Sequence, residues 1–126
     1  MPSREIISTA TGIKSPLLSQ AVKYGDTIYV SGNVGMNFVT SRMAEGDIAD
    51  RTRQALLNIE ATLREAGSGL QNLLKVNIYL TSMQDYAAMN KVYTEMIPDP
   101  KPARTCVAVA ELPMKTDVEI ECTAHL

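Results

Sequence analysis

The fold is decided by two segments near the C-terminus, Pro102-Ala103-Arg104-Thr105-Cys106-Val107-Ala108-Val109-Ala110 and, after a short gap, Val118-Glu119-Ile120-Glu121-Cys122-Thr123-Ala124-His125. Each segment alternates in side-chain type with the period of a β-strand. Together they predict a β-hairpin. If the apolar sets of both strands face one core, Val107 and Val109 point inward, and Arg104 shares the opposite face with Glu119 and Glu121.

The face that carries Arg104 is otherwise lined by small residues, Cys106, Ala108 and Ala110. Two interpretations fit this pattern. One is a solvated sheet face on which Arg104 and a glutamate form a structural ion pair, because charged residues usually stay exposed. The other is an anion-binding site, because a guanidinium offers a planar fork of donors that matches a carboxylate. A nearby glutamate could then hold or move a proton.

The length of 126 residues predicts a single domain over residues 1–126. The 12 Lys and Arg residues stand against 14 Asp and Glu residues, which gives a formal net charge of −2. No basic run follows the pattern of a phosphate-binding track, so we expect no nucleic-acid partner. No apolar stretch approaches membrane-spanning length, so we expect no membrane partner.

The N-terminal residues bear on location. They include Arg4, Glu5 and Lys14 and lack the apolar centre of a secretory signal, so we expect a cytoplasmic protein. The alternative is a mitochondrial location with a presequence that is missing from this sequence, because the residues at its start are not rich in arginine and poor in acidic residues as such presequences are.

The cysteines and the histidine predict neither a disulfide nor a metal site. On the hairpin prediction, Cys106 and Cys122 lie on opposite faces and stay reduced. Neither belongs to a Cys-x-x-Cys pair and His125 is the only histidine, so a structural zinc site has too few ligands. Cys106 has only Arg104 as an activating neighbour, which leaves two interpretations, a weak nucleophile or a small buried residue.

The rest of the chain predicts an alternation of strands and helices. A short strand is expected at residues 5–9, and a hairpin of residues 20–24 and 27–31 turns at Gly25-Asp26. Residues 33–46 lack periodicity and predict a long loop. A helical stripe covers residues 47–66, and Gly67 is its stop signal.

The clearest strand covers residues 74–80, and a second helix follows Ser82, which with Asp85 resembles a capping box. This order predicts a two-layer α+β domain, with two helices on one face of a mixed sheet. The uncovered face is semi-polar and more easily sealed by another subunit than left to water. We expect this face to carry Tyr29, Ser31, Lys75, Asn77, Tyr79, Arg104, Cys106, Glu119 and Glu121.

Four blocks of the sequence resemble the Rid (reactive intermediate deaminase) family, also called the YjgF family. The blocks are Ser19-Gln20-Ala21-Val22, Ile28-Tyr29-Val30-Ser31-Gly32, Pro102-Ala103-Arg104-Thr105-Cys106-Val107-Ala108-Val109-Ala110 and Val118-Glu119-Ile120-Glu121. The Pro-Ala-Arg block followed by the Glu-x-Glu block is the specific signature. The resemblance runs over nearly the whole chain.

The resemblance implies a chorismate-mutase-like fold and a homotrimer whose sheets face inward, with active sites in the clefts between subunits. It implies hydrolysis of reactive enamines and imines, such as 2-aminoacrylate, 2-iminopropanoate or 2-iminobutanoate, to the 2-oxo acid and ammonia, with no cofactor and no metal. Arg104 would bind the substrate carboxylate, Glu119 would position or activate water, and the backbone at Cys106 would contact substrate or water. The cleft would also be lined by Ser31, Gly32 and Asn90.

The sequence departs from the family pattern at a few positions. Active deaminases of the family have a Tyr after the proline of a Gly-Pro-Tyr-Ser-Gln-Ala run, whereas Leu17 and Leu18 follow Pro16 here. Asn33 stands where Gln is common, and Lys101 stands where an aromatic residue is frequent. The alternative function is therefore that of a trimeric small-molecule-binding or chaperone-like protein that kept the cleft without efficient chemistry.

Overall fold

The computed structural model describes residues 1–126 and contains eight strands and two helices. In chain order they are β1 (Arg4–Ile7), β2 (Ala21–Tyr24), β3 (Thr27–Val34), β4 (Met36–Asn37), β5 (Arg42–Met43), α1 (Ile48–Glu65), β6 (Leu73–Leu80), α2 (Tyr86–Met96), β7 (Ala103–Ala108) and β8 (Val118–His125). Six of the strands form the main sheet, in the order β1–β2–β3–β8–β6–β7. Strands β4 and β5 form a separate pair.

The sheet is mixed, as predicted. Strands β6 and β7 run parallel, and all other neighbouring strands run antiparallel. Helix α1 packs on β3 and β8, and α2 packs on α1, so one sheet face is covered and the other is open. The core between the layers includes Ile28, Leu63, Ile78 and Ile120, all fully buried. Neither helix is long and apolar enough to cross a membrane.

The C-terminal segments do not form the predicted hairpin. Strand β7 pairs with β6, and β8 lies between β3 and β6. The parallel register places Arg104 beside Val76 and Cys106 beside Ile78. Residues in register project to the same side of a sheet, and Val76 and Ile78 are buried under the helices, so Arg104 and Cys106 also face the helices. The prediction that they share a face with Glu119 was wrong.

The length of the connection between β7 and β8 explains this topology. Residues 109–117 are enough to carry the chain past the end of β6, whereas a hairpin needs only a tight turn. The two sets of β7 side chains consequently face the opposite sides of the sheet from those predicted. Val107, which was expected in the core, is 41% exposed.

The two cysteines lie on the same side of the sheet, so the prediction of opposite faces was wrong. Cys106 pairs in register with Ile78, and Cys122 pairs with Val76, and both of those partners are buried. Strands β7 and β8 flank β6, which separates their backbones by about 9 to 10 Å at the usual strand spacing. A disulfide cannot span this separation. Both thiols are free, as predicted.

The predicted helices are present. The Asp47 side chain accepts from the first turn of α1, and Asp50 accepts from the Asp47 N–H, which closes a capping box. Gly67, just beyond the helix, has a φ of +89° that favours glycine. Ser82 accepts from the backbone of a short 3-10 turn, so α2 itself begins only at Tyr86.

The hairpin at Gly25-Asp26 is confirmed, with a φ of +60° at Gly25. The loop predicted over residues 33–46 is partly wrong, because β3 continues to Val34 and β4 pairs with β5. Asn58 of α1 holds this segment, since its Nδ2 donates to Val34 O at 3.2 Å and to Met36 O at 2.9 Å. The paired backbone of the segment explains why an irregular sequence is still ordered.

An ion pair joins the start of α1 to the segment before β8. The Nε and Nη2 of Arg51 each donate to one Asp117 carboxylate oxygen at 2.7 Å. This bidentate pair lowers the pKa of Asp117 and raises the pKa of Arg51. The ion pair therefore links helix α1 to the chain segment that leads into β8.

We expect Asp117→Asn to lower the free energy of unfolding by about 1 to 3 kcal/mol at pH 7, because it removes a partly buried charged partner of Arg51. Since the folded-state pKa of Asp117 is lowered, its stabilising contribution is complete above the ordinary carboxyl pKa and is lost as pH falls through the folded value. Urea unfolding at several pH values measures this. Glu95→Gln, which breaks an exposed pair with Arg53, is the control and should change little.

Candidate active site

Arg104 is the cation of the candidate site and projects from the edge strand β7 toward α2. Its Nη1 donates to Asn90 Oδ1 at 2.6 Å, and its Nη2 donates to the Tyr86 hydroxyl at 3.1 Å. Its Cζ lies 4.8 Å from the ring centroid of Tyr93 and 5.6 Å from that of Tyr86, within the range of cation–π attraction. One helix therefore holds the guanidinium by an amide, a hydroxyl and two aromatic rings.

The three helix residues that contact Arg104 form one stripe of α2. Tyr86, Asn90 and Tyr93 follow one another at i, i+4 and i+7, which places them on the same helix face. Asn90 was assigned to the cleft by resemblance alone, and neither tyrosine was predicted to be a neighbour of Arg104. The signal that could have found them is the helical spacing of two tyrosines around a polar amide.

Arg104 forms no ion pair with a carboxylate of the chain. The five ion pairs in the structure join other residues. The hydrogen-bond partners of Arg104 are an amide oxygen and a hydroxyl, which leave three of its five N–H groups for other acceptors. A half-buried guanidinium with uncharged partners has the charge and the planar fork of donors that suit a carboxylate.

A cleft of about 330 Å³ lies beside Arg104. It is lined by Asn90, Tyr93, Thr94, Lys101, Pro102 and Arg104. The Nζ of Lys101 donates to the carbonyl oxygens of Thr94 and Ile97, so this ammonium caps the end of α2. Since Lys101 Nζ also lies 3.4 Å from Asp99 Oδ1, Arg104 is the cation of the cleft that keeps N–H groups free.

Cys106 is half-buried and packs against the core two residues from Arg104. Burial raises the pKa of its thiol, and the nearby Arg104 opposes this rise only in part. The thiol therefore stays protonated at neutral pH. Because the thiolate is the nucleophilic form, this environment favours the interpretation of Cys106 as a small buried residue.

The two glutamates lie on the open face, as predicted. Glu121 accepts hydrogen bonds from the Tyr79 hydroxyl and from Asn77 Nδ2, the latter at 3.3 Å. Its hydrogen bond raises the pKa of Tyr79. Glu119 forms no ion pair, and burial, together with the nearby Glu121, raises the pKa of its carboxyl group. The surroundings of Glu119 thus favour its protonated form more than water would.

Gly32 lies directly against Glu119, and a Cβ at this position would overlap the Glu119 carboxyl group. Next to it, the pairing of β3 with β8 is irregular just before Asn33. The Ser31 Oγ donates to Ser19 O at 2.6 Å, and the Asn33 Nδ2 donates to Ser31 O at 2.9 Å. The Ser31 hydroxyl therefore ties the loop before β2 to the bulge beside Glu119.

The predicted site residues fall into two groups on the two sides of the sheet. The first group, at the β7 edge and toward the helices, is Arg104, Asn90 and Cys106. The second group, on the open face and in the adjoining bulge, is Glu119, Gly32 and Ser31. One chain does not bring the cation and the Glu119 carboxyl group together, which corrects the face assignment made from alternation.

Comparison with known proteins identifies relatives over almost the whole chain. A protein-family model described as Endoribonuclease L-PSP matches residues 13–126. The chain is 50% identical over 127 residues to Protein mmf1, mitochondrial, of Schizosaccharomyces pombe, across 94% of this chain and 77% of the relative. It is 42% identical over 123 residues to the 2-iminobutanoate/2-iminopropanoate deaminase of Dermatophagoides farinae, across 96% of this chain and 95% of the relative.

A solved structure is also similar over almost the whole chain. The crystal structure of E. coli TdcF with bound serine is similar to this chain with a TM-score of 0.89 and 31% identity, over 97% of this chain and 98% of that chain. The family match includes both groups of candidate site residues. The chain therefore belongs to the Rid (YjgF) family, which its sequence resembles.

Proposed function

We propose that the protein hydrolyses reactive enamines and imines of 2-oxo acids to the 2-oxo acid and ammonia. The observation that carries the proposal is the half-buried Arg104, which is held by uncharged partners and keeps N–H groups free. A 2-imino acid presents a carboxylate to this fork and has its reactive C=N carbon one bond away. Because the carboxylate and the reactive carbon are directly bonded, binding of the carboxylate by Arg104 would hold the C=N carbon within the cleft.

The proposal requires a second protomer, because Arg104 and Glu119 lie on opposite sides of one sheet, and the family resemblance implies that the assembly is a homotrimer. The open face exposes large apolar groups, among them Tyr29 at 54% and Val107 at 41%. Strand β7, which carries Arg104, is an unprotected sheet edge. In a closed ring, the Arg104 edge of one protomer meets the Glu119 face of the next, so each interface completes one site.

We expect the 13.7 kDa chain to sediment as a trimer at micromolar concentration. Burial of the open face drives this association. A charged residue in place of Val107 should weaken the trimer, because an unpaired charge would lose its hydration when the face is buried. Analytical ultracentrifugation of the wild type and Val107→Glu measures the effect. A wild-type monomer would contradict the prediction and leave the Arg104 cleft without its second wall.

Glu119 is the proposed general base. Its raised pKa moves the carboxyl group toward the working pH, which favours proton transfer. The carboxylate takes a proton from water as the water oxygen bonds to the imine carbon and the C=N π electrons move to the nitrogen, and protonated Glu119 then gives that proton to the nitrogen. The resulting carbinolamine releases ammonia and leaves the 2-oxo acid. An enamine enters the same route once its β-carbon has been protonated.

Two relatives support this proposal. The relative from Dermatophagoides farinae is named a 2-iminobutanoate/2-iminopropanoate deaminase. The E. coli relative was crystallised with serine, whose carboxylate and adjacent nitrogen-bearing carbon match the two features that the proposed site addresses. Both observations point to small 2-amino, 2-imino or 2-oxo acids as ligands.

The family model is described as an endoribonuclease, but the charge of this chain favours a small acid. The formal net charge is −2, and the candidate residues offer one free cation and one free carboxyl group. A groove that follows RNA needs several cations along it.

The expected cytoplasmic location stays a prediction, and the Schizosaccharomyces pombe relative is named a mitochondrial protein.

One observation favours the binding or chaperone-like alternative. Leu17 and Leu18 are exposed where active family members have a Tyr, so that loop offers no aromatic hydroxyl. The deciding assay generates 2-iminobutanoate with a pyridoxal-phosphate-dependent threonine dehydratase and follows its capture by semicarbazide. We expect the protein to suppress semicarbazone formation at catalytic amounts. Unchanged capture at stoichiometric amounts would contradict the deaminase and leave the alternative.

Arg104→Ala is expected to lower kcat/KM by at least about tenfold, because loss of a desolvated charge partner costs on the order of 2 to 5 kcal/mol. Arg104→Lys should also lose affinity, since a point charge cannot reproduce the fork. Lys91→Ala removes a charge from the exposed side of α2 and is the control. If Arg104 were only structural, deamination would persist and the melting temperature alone would fall.

Glu119→Gln is expected to keep 2-oxo acid binding while turnover falls by about a hundredfold, because the amide cannot accept the proton. In the wild type, kcat/KM should fall as pH drops through the raised pKa of Glu119, at a pH above that of an ordinary glutamate. The pH profile of the residual Glu119→Gln activity should lack this acidic limb. An identical limb in both proteins would assign the titration to another group.

A further inference from the structure

The contacts of Arg104 limit how a carboxylate can reach it. A guanidinium has two edges at which a carboxylate binds in bidentate fashion, one formed by Nε and Nη2 and the other by Nη1 and Nη2. Each edge uses a different N–H of Nη2. Because the Tyr86 hydroxyl accepts from Nη2 at 3.1 Å, one of these N–H groups is occupied. At most one bidentate edge remains open.

We propose that Tyr86 is a specificity-determining positioning residue that selects the single edge of Arg104 at which the substrate carboxylate binds. The proposal rests on the function proposed above and goes beyond the carboxylate-binding role of Arg104. Tyr86 acts through Arg104, since its hydroxyl blocks the competing edge. The substrate is thereby held in one orientation, with its imine carbon turned in one direction.

The surroundings of Tyr86 fit this role. Tyr86 is the first residue of α2 and is 39% exposed, so its hydroxyl borders solvent at the mouth of the cation's site. Asn90, one turn further along, accepts from Nη1 at 2.6 Å. For removal of the Tyr86 hydroxyl to open both edges, this bond must use the Nη1 N–H on the Cδ side, which belongs to neither edge. Each terminal nitrogen of the guanidinium is thus held by one residue of helix α2. These two contacts fix the orientation of the guanidinium plane, so the same edge always faces the substrate.

Tyr24 provides a matched control away from the site. It is 51% exposed and lies on β2, which β3, β8 and β6 separate from β7. Tyr24→Phe and Tyr86→Phe each remove one hydroxyl and keep one ring, and only the second removes a contact to Arg104.

Orientation and affinity give different kinetic signatures. With both edges open, substrate binds in a productive and an unproductive orientation. Unproductive binding lowers kcat and KM together, whereas loss of a binding contact raises KM. If the two orientations are equally favourable, kcat for Tyr86→Phe should fall by about twofold, and by more if the freed guanidinium also shifts the substrate.

The test measures kcat and KM of the trimer for 2-iminobutanoate, and the dissociation constant of 2-oxobutanoate by calorimetry, for the wild type, Tyr86→Phe, Tyr24→Phe and Arg104→Ala. We expect Tyr86→Phe to lower kcat with an equal or lower KM, to bind 2-oxobutanoate at least as tightly, and to keep the melting temperature of the wild type. Tyr24→Phe should match the wild type in both kinetic constants.

The outcomes separate this inference from the proposed function. If Tyr86→Phe and Tyr24→Phe have the same constants as the wild type, or if Tyr86→Phe raises KM, the positioning role is wrong even though Arg104→Ala abolishes binding. If Arg104→Ala binds 2-oxobutanoate as well as the wild type does, the proposed function fails, and the positioning role fails with it. A fall in melting temperature without the kinetic change would mark Tyr86 as merely structural.

Discussion

The parallel pairing of β7 with β6 is the constraint on which the candidate site depends. It sets the register that places Arg104 beside buried Val76, and so turns the guanidinium toward α2 instead of the open face. Had β7 paired with β8 as a hairpin, Arg104 would have met Glu119 within one chain, and an ion pair would have satisfied both charges. The observed topology prevents that neutralisation.

Both charged groups consequently remain available for a ligand. Burying a charge without a partner is costly, and the chain limits this cost for Arg104 with an amide, a hydroxyl and aromatic rings. For Glu119 the cost appears as a raised pKa. A substrate that brings a carboxylate to one group and a water-reactive carbon to the other would use both, provided that a second protomer closes the cleft.

Much of the fold could be predicted from the sequence. The α1 stripe, the Gly67 stop signal and the hairpin at Gly25 rest on local periodicity and backbone preferences, which act within a few residues. Alternation also identified β7 and β8 as strands. It could not specify their neighbours, because a period of two fixes which residues share a side within one strand and leaves the relation between strands to the pairing.

The candidate site was predictable to the same extent. Arg104, Glu119 and Asn90 were named from the sequence, but their distribution over two sides of the sheet depends on the β6–β7 pairing. Tyr86 was overlooked because a tyrosine at helical spacing is ordinarily a packing residue. Its contact with Arg104 is a tertiary feature, created when the β7 edge is laid against α2.

The central claim is that Arg104 of one protomer and Glu119 of another form each active site, and mixing of inactive subunits tests it most directly. Arg104→Ala and Glu119→Gln would be purified separately, unfolded together in equal amounts and refolded, and deamination would be followed with the dehydratase assay. Random assortment should pair an intact Arg104 with an intact Glu119 at about a quarter of the interfaces, and so restore about a quarter of wild-type activity. Mixed trimers no more active than either parent would contradict the account.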